Sequence, residues 1–331
     1  MVRALSRQRG FTLVELLLVL ALSLILLIAV LNLFDGMNRM TRVQVNLADL
    51  QQAQRVAQAE VVRMVRMAGR GGLREDLLGG SVAHLAAVTV RNNVGAGGVD
   101  PVVLDGSGIA ANEGSDVLVL RGVFSTPIYR VDYVDPGSFD PVTGRVVVAL
   151  STPTGVPQDL GPLREAVEEE RPEALVITDA LGDAYGVAEL LPGDSVVTAD
   201  SVLLAFRTSG SARAERYAAL SSGGAFPAFQ KALSVGILEE HRFYVRPGDP
   251  DPVLARTRTY PNVEEAYPDE LDREVAPNIR DLQVALGFDS SQAGGFFDCD
   301  ADPDGDDDRV VESDDGRDDD WLFNAAGGAA R

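Results

Sequence analysis

A membrane-length apolar run limits this chain more than any other feature. From Leu16 to Leu31 it is broken only by Ser23, and Phe11–Val14 and Leu33–Phe34 extend it at both ends. The stretch is about 24 residues, enough for a helix rising ~1.5 Å per residue to cross ~30 Å of hydrocarbon. Arg3, Arg7 and Arg9 precede it, and no base follows until Arg39. That asymmetry predicts a cytoplasmic N-terminus, with the rest of the chain on the outer side. A secretory signal has a shorter apolar core followed by its cleavage site. Here the predicted cut falls ahead of the core, between Gly10 and Phe11, so the core stays in the mature chain.

Glu15 is the expensive residue in this run. A carboxylate costs roughly 2.5–3.5 kcal/mol near mid-bilayer on insertion scales, and less near the interface. Two readings stay open. One is an interfacial glutamate beside the cytoplasmic headgroups. The other is a partner for the amino terminus of a neighbouring subunit, exposed by cleavage.

The phrase Gly10-Phe11-Thr12-Leu13-Val14-Glu15-Leu16, behind its basic leader, resembles the class III leader of type IV prepilins and type II secretion pseudopilins. The basic leader, cleavage glycine, phenylalanine, glutamate and apolar run stand in that family's fixed order. The resemblance implies that prepilin peptidase cuts after Gly10 and methylates the amine of Phe11. It also implies that Glu15 guides docking into a filament. Asn32 stands in the region where many major pilins carry a proline, so a proline-linked kink is not carried over.

From Met37 to about Ala68 the pattern turns amphipathic. Val43, Leu47, Leu50, Ala57, Val61, Met64 and Ala68 recur at spacings of three, four or seven, with glutamines and arginines between them. One helix from Phe11 to about Ala68 is the simplest reading, with Gly36 a place for a bend. Glycines after the last apolar turn, at Gly69, Gly71 and Gly72, predict its C-terminal cap. The ending Arg63-Met64-Val65-Arg66-Met67-Ala68-Gly69 resembles the phrase that closes the long helix of PilW-like minor pilins.

Beyond Gly72 the period changes to short β-rich runs parted by Gly, Pro, Asp and Ser clusters. Strands are predicted at Ala87–Arg91, Asp116–Gly122, Ile128–Val134, Arg145–Leu150, Ala174–Thr178 and Ser201–Arg207. Further strands are predicted at Leu238–Arg246, Val253–Thr257 and Ile279–Phe288. Leu160–Glu170 reads as a short helix interrupted by Pro162. A helix followed by many strands predicts an α+β fold, and the resemblance supplies the rest: a type IV pilin-like helix under an antiparallel head. The division is a leader over 1–10, an assembly helix and spine over 11–68, and a head over 69–331. Asn92–Gly236 is long and idiosyncratic, and reads as insertions with a second β-subdomain. Asn278–Asp289 again resembles the PilW-like group, in which an acidic loop follows.

That loop, within residues 298–320, is the densest cluster of candidate ligands. Asp298, Asp300, Asp302, Asp304 and Asp308 alternate around Gly305, so a turning loop aims several carboxylates at one centre. Ca²⁺ takes six to eight oxygen ligands and suits such density. The pattern resembles an EF-hand loop, but the twelfth position from Asp300 is Val311, and Glu312 comes one residue late. The alternative is a solvated acidic hairpin. Cys299, the single cysteine, rules out an intramolecular disulfide, and nothing charged in its sequence neighbourhood favours a thiolate.

The function classes narrow accordingly. A net charge of −21 argues against direct binding to nucleic-acid phosphates. His84 and His241 are the only histidines, and no nucleophile elbow or phosphate loop is present, so no enzyme is expected. The resemblance implies a minor pilin, held first in the inner membrane and then in an extracellular pilus. Its implied partners are prepilin peptidase, other major and minor pilins and the inner-membrane pilus assembly platform. A type II secretion pseudopilin and a pilus-displayed adhesin, with Asn92–Gly236 as the binder, are the alternatives.

Overall fold

The computed structural model of the chain describes residues 12–73, 76–78, 81–84, 87–91, 94, 111–181, 184–248, 251–263 and 273–284. The first element, α1, runs Leu13–Met67 without a break. It continues through Gly36 without interruption. Ser23 leaves the helix intact because its hydroxyl donates to the Val19 carbonyl one turn back. The chain divides after Gln54 into two units. In the first, every described side chain from Thr12 to Phe34 is exposed. The second holds the last turns of α1 and the whole head.

In chain order the strands are β1 (Asp76–Leu78), β2 (Ser81–His84), β3 (Val88–Arg91), β4 (Val117–Gly122) and β5 (Tyr129–Arg130). They continue with β6 (Phe139–Asp140), β7 (Arg145–Ala149), β8 (Ala174–Asp179), β9 (Tyr185–Leu190) and β10 (Val196–Val197). The last four are β11 (Ser201–Arg207), β12 (Ala232–Arg246), β13 (Val253–Thr259) and β14 (Arg273–Pro277). Two short helices, α2 (Gly161–Glu168) and α3 (Ala212–Ala218), lie between them. Apart from the β1–β2 hairpin, these strands join one antiparallel sheet. The fold is therefore α+β, a long N-terminal apolar helix followed by an antiparallel β-rich domain.

β12 organises the head. Its C-terminal half pairs with β4 and β13, its N-terminal half with β5 and β8. Two blocks of sheet thus share one strand. In the first, β3-β4-β12-β13-β14, residues 61–67 of α1 and the following Ala68 pack on one face. There Met64, Val61 and Met67 meet Leu118, Leu120 and Phe243. The other face is covered at Val117, Val119, Tyr244 and Ala255 by Val94 and Ala111. With both faces covered, β4 is a continuous apolar run, Val-Leu-Val-Leu, rather than an alternating one.

The second block, β12-β8-β9-β11-β7-β6, wraps its own core. Tyr129, Val146, Val148, Leu175, Ile177, Leu190, Val202 and Leu204 fill it, and α2 adds Leu163 and Val167. One side chain bridges its free margins. Gln158 accepts from the Arg130 amide of β5 at 2.6 Å, and donates to the Arg130 and Ala149 carbonyls at 3.0 Å each. An amide side chain here does what a strand backbone does elsewhere.

The helix end is closed as its glycines predict. Gly69 adopts φ +77°, a left-handed conformation that an L side chain resists, and its amide donates to the Arg121 carbonyl at 2.9 Å. In the β6–β7 turn, Gly144 has φ +64°, and a Cβ there would lie 2.1 Å from the Phe206 carbonyl oxygen.

Several expectations need correction. The Ile128–Val134 strand shrinks to Tyr129–Arg130, because Asp132 Oδ1 accepts from the Val134 and Asp135 amides and turns the chain out of the ladder. Pro162 does not interrupt α2. It sits in the first turn, where a missing N–H leaves no bond broken. No strand covers residues 279–284; the place beside β13 belongs to Arg273–Pro277. Leu282 and Val284 still pack beside the spine, tied to Asp116 by its amide and carboxylate. The second β-subdomain is not a separate sheet, since it borrows β12.

Candidate assembly site

Glu15 is the third residue of α1, and the structure adds a partner that the sequence reading passed over. Thr12 Oγ1 accepts from the Glu15 amide at 3.3 Å, and the Thr12 carbonyl accepts from Leu16 at 3.2 Å. Thr12 is thus the N-cap, and Thr12-Leu13-Val14-Glu15 has the Ser/Thr-x-x-Glu spacing of a capping box. That spacing was the available signal. A carboxylate in the first turn also faces the positive end of the helix dipole. Glu15 is exposed, with Leu13, Val14, Leu16 and Leu17 around it.

Gly10 and Phe11 lie outside the described residues, as do Asp298, Asp300, Asp302, Asp304, Asp308 and Cys299. Among the described residues no group of His, Cys, Asp and Glu is arranged to hold a metal ion.

Polar chemistry inside the head concentrates where the two blocks meet, on Glu239-Glu240-His241-Arg242 of β12. Successive residues of a strand face opposite ways, so these four divide between the two faces. On one face, Glu240 has no exposed surface. Arg121 Nε donates to its Oε2 at 2.6 Å and Arg242 Nε to its Oε1 at 2.8 Å. The Thr259 hydroxyl and the Asn262 amide each add a bond at 2.9 Å. Burial alone pushes the Glu240 carboxyl up, but the two guanidinium groups overcome this and hold it down at about 2.

On the face toward α1, Glu239 accepts from the Ser125 amide and hydroxyl at 2.9 and 2.6 Å, and lies 3.3 Å from His241 Nε2. Burial opposes its charge. The His241 hydrogen bond, the Arg258 charge and Ser125 outweigh burial and bring it to about 2. Burial lowers His241 against the pull of Glu239, so the ring is neutral at pH 7 and stacks edge-on to Phe124. Nearby Glu173 goes the other way, pushed up to about 7 by burial despite Arg258 and Arg171.

This cluster is a packed joint. Its carboxylates accept from guanidinium, hydroxyl and amide donors. The strand predicted over Leu238–Arg246 has the placement right and misses the charge pairing. A further ion pair ties α1 to the head: Glu60 bonds Arg63 and Arg256, each at 2.7 Å.

Among the described residues, the N-terminal part of α1 carries a continuous exposed apolar surface. Its 18-residue window of highest hydropathy averages 3.1 and is wholly unburied. Residues 5–31 match the model of the prokaryotic N-terminal methylation motif. Comparisons with curated proteins and with solved structures returned no match. The motif supports a type IV pilin or pseudopilin, processed by prepilin peptidase and assembled with other pilins.

Proposed function

We propose that the chain is a PilW-like minor pilin that enters a type IV pilus near its tip and helps to initiate or adapt the filament. One observation carries the reading. The methylation-motif phrase opens a helix that stays in one piece from Leu13 to Met67 and ends against an antiparallel sheet. Prepilin peptidase cuts after Gly10 and methylates Phe11. The helix waits in the inner membrane, N-terminus cytoplasmic, until the assembly platform draws it among other pilins. There Phe11–Phe34 exchanges lipid for neighbouring helices, and Glu15 exchanges an isolated position for a neighbour's amine. The cut leaves Thr12 in place, so the helix keeps its cap in the mature chain. The role is structural, without catalysis. Ca²⁺ bound by Asp298, Asp300, Asp302, Asp304 and Asp308 belongs to the proposal; calorimetric titration of the chain without heat at millimolar Ca²⁺ would remove it.

The test is mass spectrometry of the N-terminal peptide from membrane and sheared-filament fractions. N-methylated Phe11 in the filaments supports the reading. An intact Met1 or Val2 start, confined to the membrane, overturns it. The motif is common to pilins and pseudopilins. Loss of twitching or DNA uptake on deletion favours the pilus, and loss of exoprotein secretion favours the pseudopilus.

A further inference from the structure

Between the end of β4 at Gly122 and the start of β5 at Tyr129, the chain leaves the ladder on β12. Among the described residues, the amides of this link bond in two places only. Val123 donates to the Arg70 carbonyl, and Ser125 donates to Glu239. The link lies over His241: the Phe124 ring stands 4.9 Å from the imidazole, at 82° to it. Phe124 is half-buried and Ser125 exposed, whereas His241 is buried. This closed arrangement is short of hydrogen bonds. His241 Nε2 faces Glu239 at 3.3 Å, but Nδ1 is buried without a partner among the described residues, and so is the Thr126 hydroxyl. Both groups favour hydration.

The charges around the imidazole decide what a proton does there. On β12, Glu239 offers it one oxygen, while the other accepts from the Ser125 amide and hydroxyl. β13 sets Arg258 opposite His241 and Arg256 two residues away, and β4 sets Leu120 opposite. From α1, Glu60 is held by Arg63 and Arg256, and β14 places Arg273 opposite Arg256. At the entry to β8, beside Arg171, Glu173 keeps its proton up to about 7 and so adds no negative charge on the acid side. A proton on His241 therefore puts positive charge beside Arg256 and Arg258, and gives Nδ1 an N–H with no acceptor. Burial first, and then these arginines, hold the imidazole below its ordinary value despite Glu239.

We propose that residues 124–126 are an acid-operated strap: when His241 takes a proton the strap lifts off β12, and water reaches Nδ1 and the Thr126 hydroxyl. The lifted form binds the proton at the ordinary imidazole value, about 6.5, and the closed form only below it. Lifting therefore grows as pH falls below about 6.5, by at most about tenfold per pH unit, and levels off once the closed form is protonated too. The device belongs to the head and is independent of the filament role.

The test is amide exchange at Ser125 in the full chain in detergent, at about pH 7 and about pH 5, each corrected for the intrinsic exchange rate. Wild type should open about tenfold more at the lower pH. His241→Gln keeps a donor toward Glu239 but cannot titrate, so its opening should be equal at both. Glu173→Gln should keep the rise, which separates the strap from the other group that titrates in this range. Should His241→Gln fail to fold, His84→Gln leaves a single histidine whose imidazole can be titrated by NMR. Adding Phe124→Ala should then move its midpoint up toward about 6.5. The proposal is overturned by no rise in wild type, by a rise that survives His241→Gln or disappears in Glu173→Gln, or by a midpoint that Phe124→Ala leaves in place. An equal rise in β3 and β4 means opening of the whole sheet and overturns it as well.

Discussion

Glu240 and Glu173 show how differently two buried carboxylates behave on one sheet. Glu240 is saturated by Arg121, Arg242, Thr259 and Asn262, so Glu240→Ala strands two guanidinium groups in the interior. Removing one partner of a buried pair costs about 3–5 kcal/mol. Thermal unfolding of the full chain in detergent should show that loss as a large drop in Tm. Arg171→Ala, which breaks a half-exposed pair with Glu169, should cost about 1 kcal/mol or less. Glu173 titrates at about 7 in the fold, above its unfolded value, so the folded state binds the extra proton. Stability then falls as pH rises from about 4.5 to 7, because ionisation in the fold works against burial. Glu239 and Glu240, both held at about 2, act oppositely: their contribution is present above about 4.5 and fades as pH falls from there toward 2. Unfolding curves across pH 4–8 should therefore flatten in Glu173→Gln, and an unchanged slope would remove Glu173 as the cause.

Among the elements, the second block depends on a bond made by no strand. Gln158→Ala removes three hydrogen bonds between β5 and β7, and an expected loss of about 1–3 kcal/mol follows from their partly solvated setting. Faster amide exchange in β5 and at the end of β7, with β3 and β4 unchanged, would confirm that the opening is local. Elements of this kind mark where the sequence stopped being readable. The long helix, its glycine-closed end and strands such as β4, β7 and β11 were legible, because valine-rich runs and helical spacing are local signals. β9, Tyr-Gly-Val-Ala-Glu-Leu, was not. Its glycine and alanine favour no strand, and a Cβ at Gly186 would run into the Phe226 ring. The first half of β12 was missed for the same reason, since Gly236 accommodates Val123. Residues 279–284 erred in the other direction: their alternation is genuine, but β14 already holds the ladder edge. Of the assembly site, Glu15 was visible by type and place, while the Thr12 cap needed its spacing to be noticed. The pairing at the joint had no local signal, since Arg121 and Glu240 are far apart in the chain.

For the whole molecule, the N-terminal unit presents only apolar surface from Leu13 to Phe34 apart from Glu15, Ser23 and Asn32. Burying such surface contributes about 25 cal/mol per Å², so water alone is a poor solvent for it. The intact chain should stay with the membrane pellet through an alkaline carbonate wash and leave it only in detergent. Release by carbonate alone would contradict a spanning helix. The other unit has a consequence in time. β4 pairs with residues 239–243 and β8 with residues 232–238. β4 thus waits for a partner made about 120 residues later, and such distant pairings slow folding. Neither block can finish until β12 has been synthesised. A chain cut short before Ala232 would therefore yield no half-built head, only two unfinished sheet edges, so the head's maturation is a single late event and its quality control all-or-none.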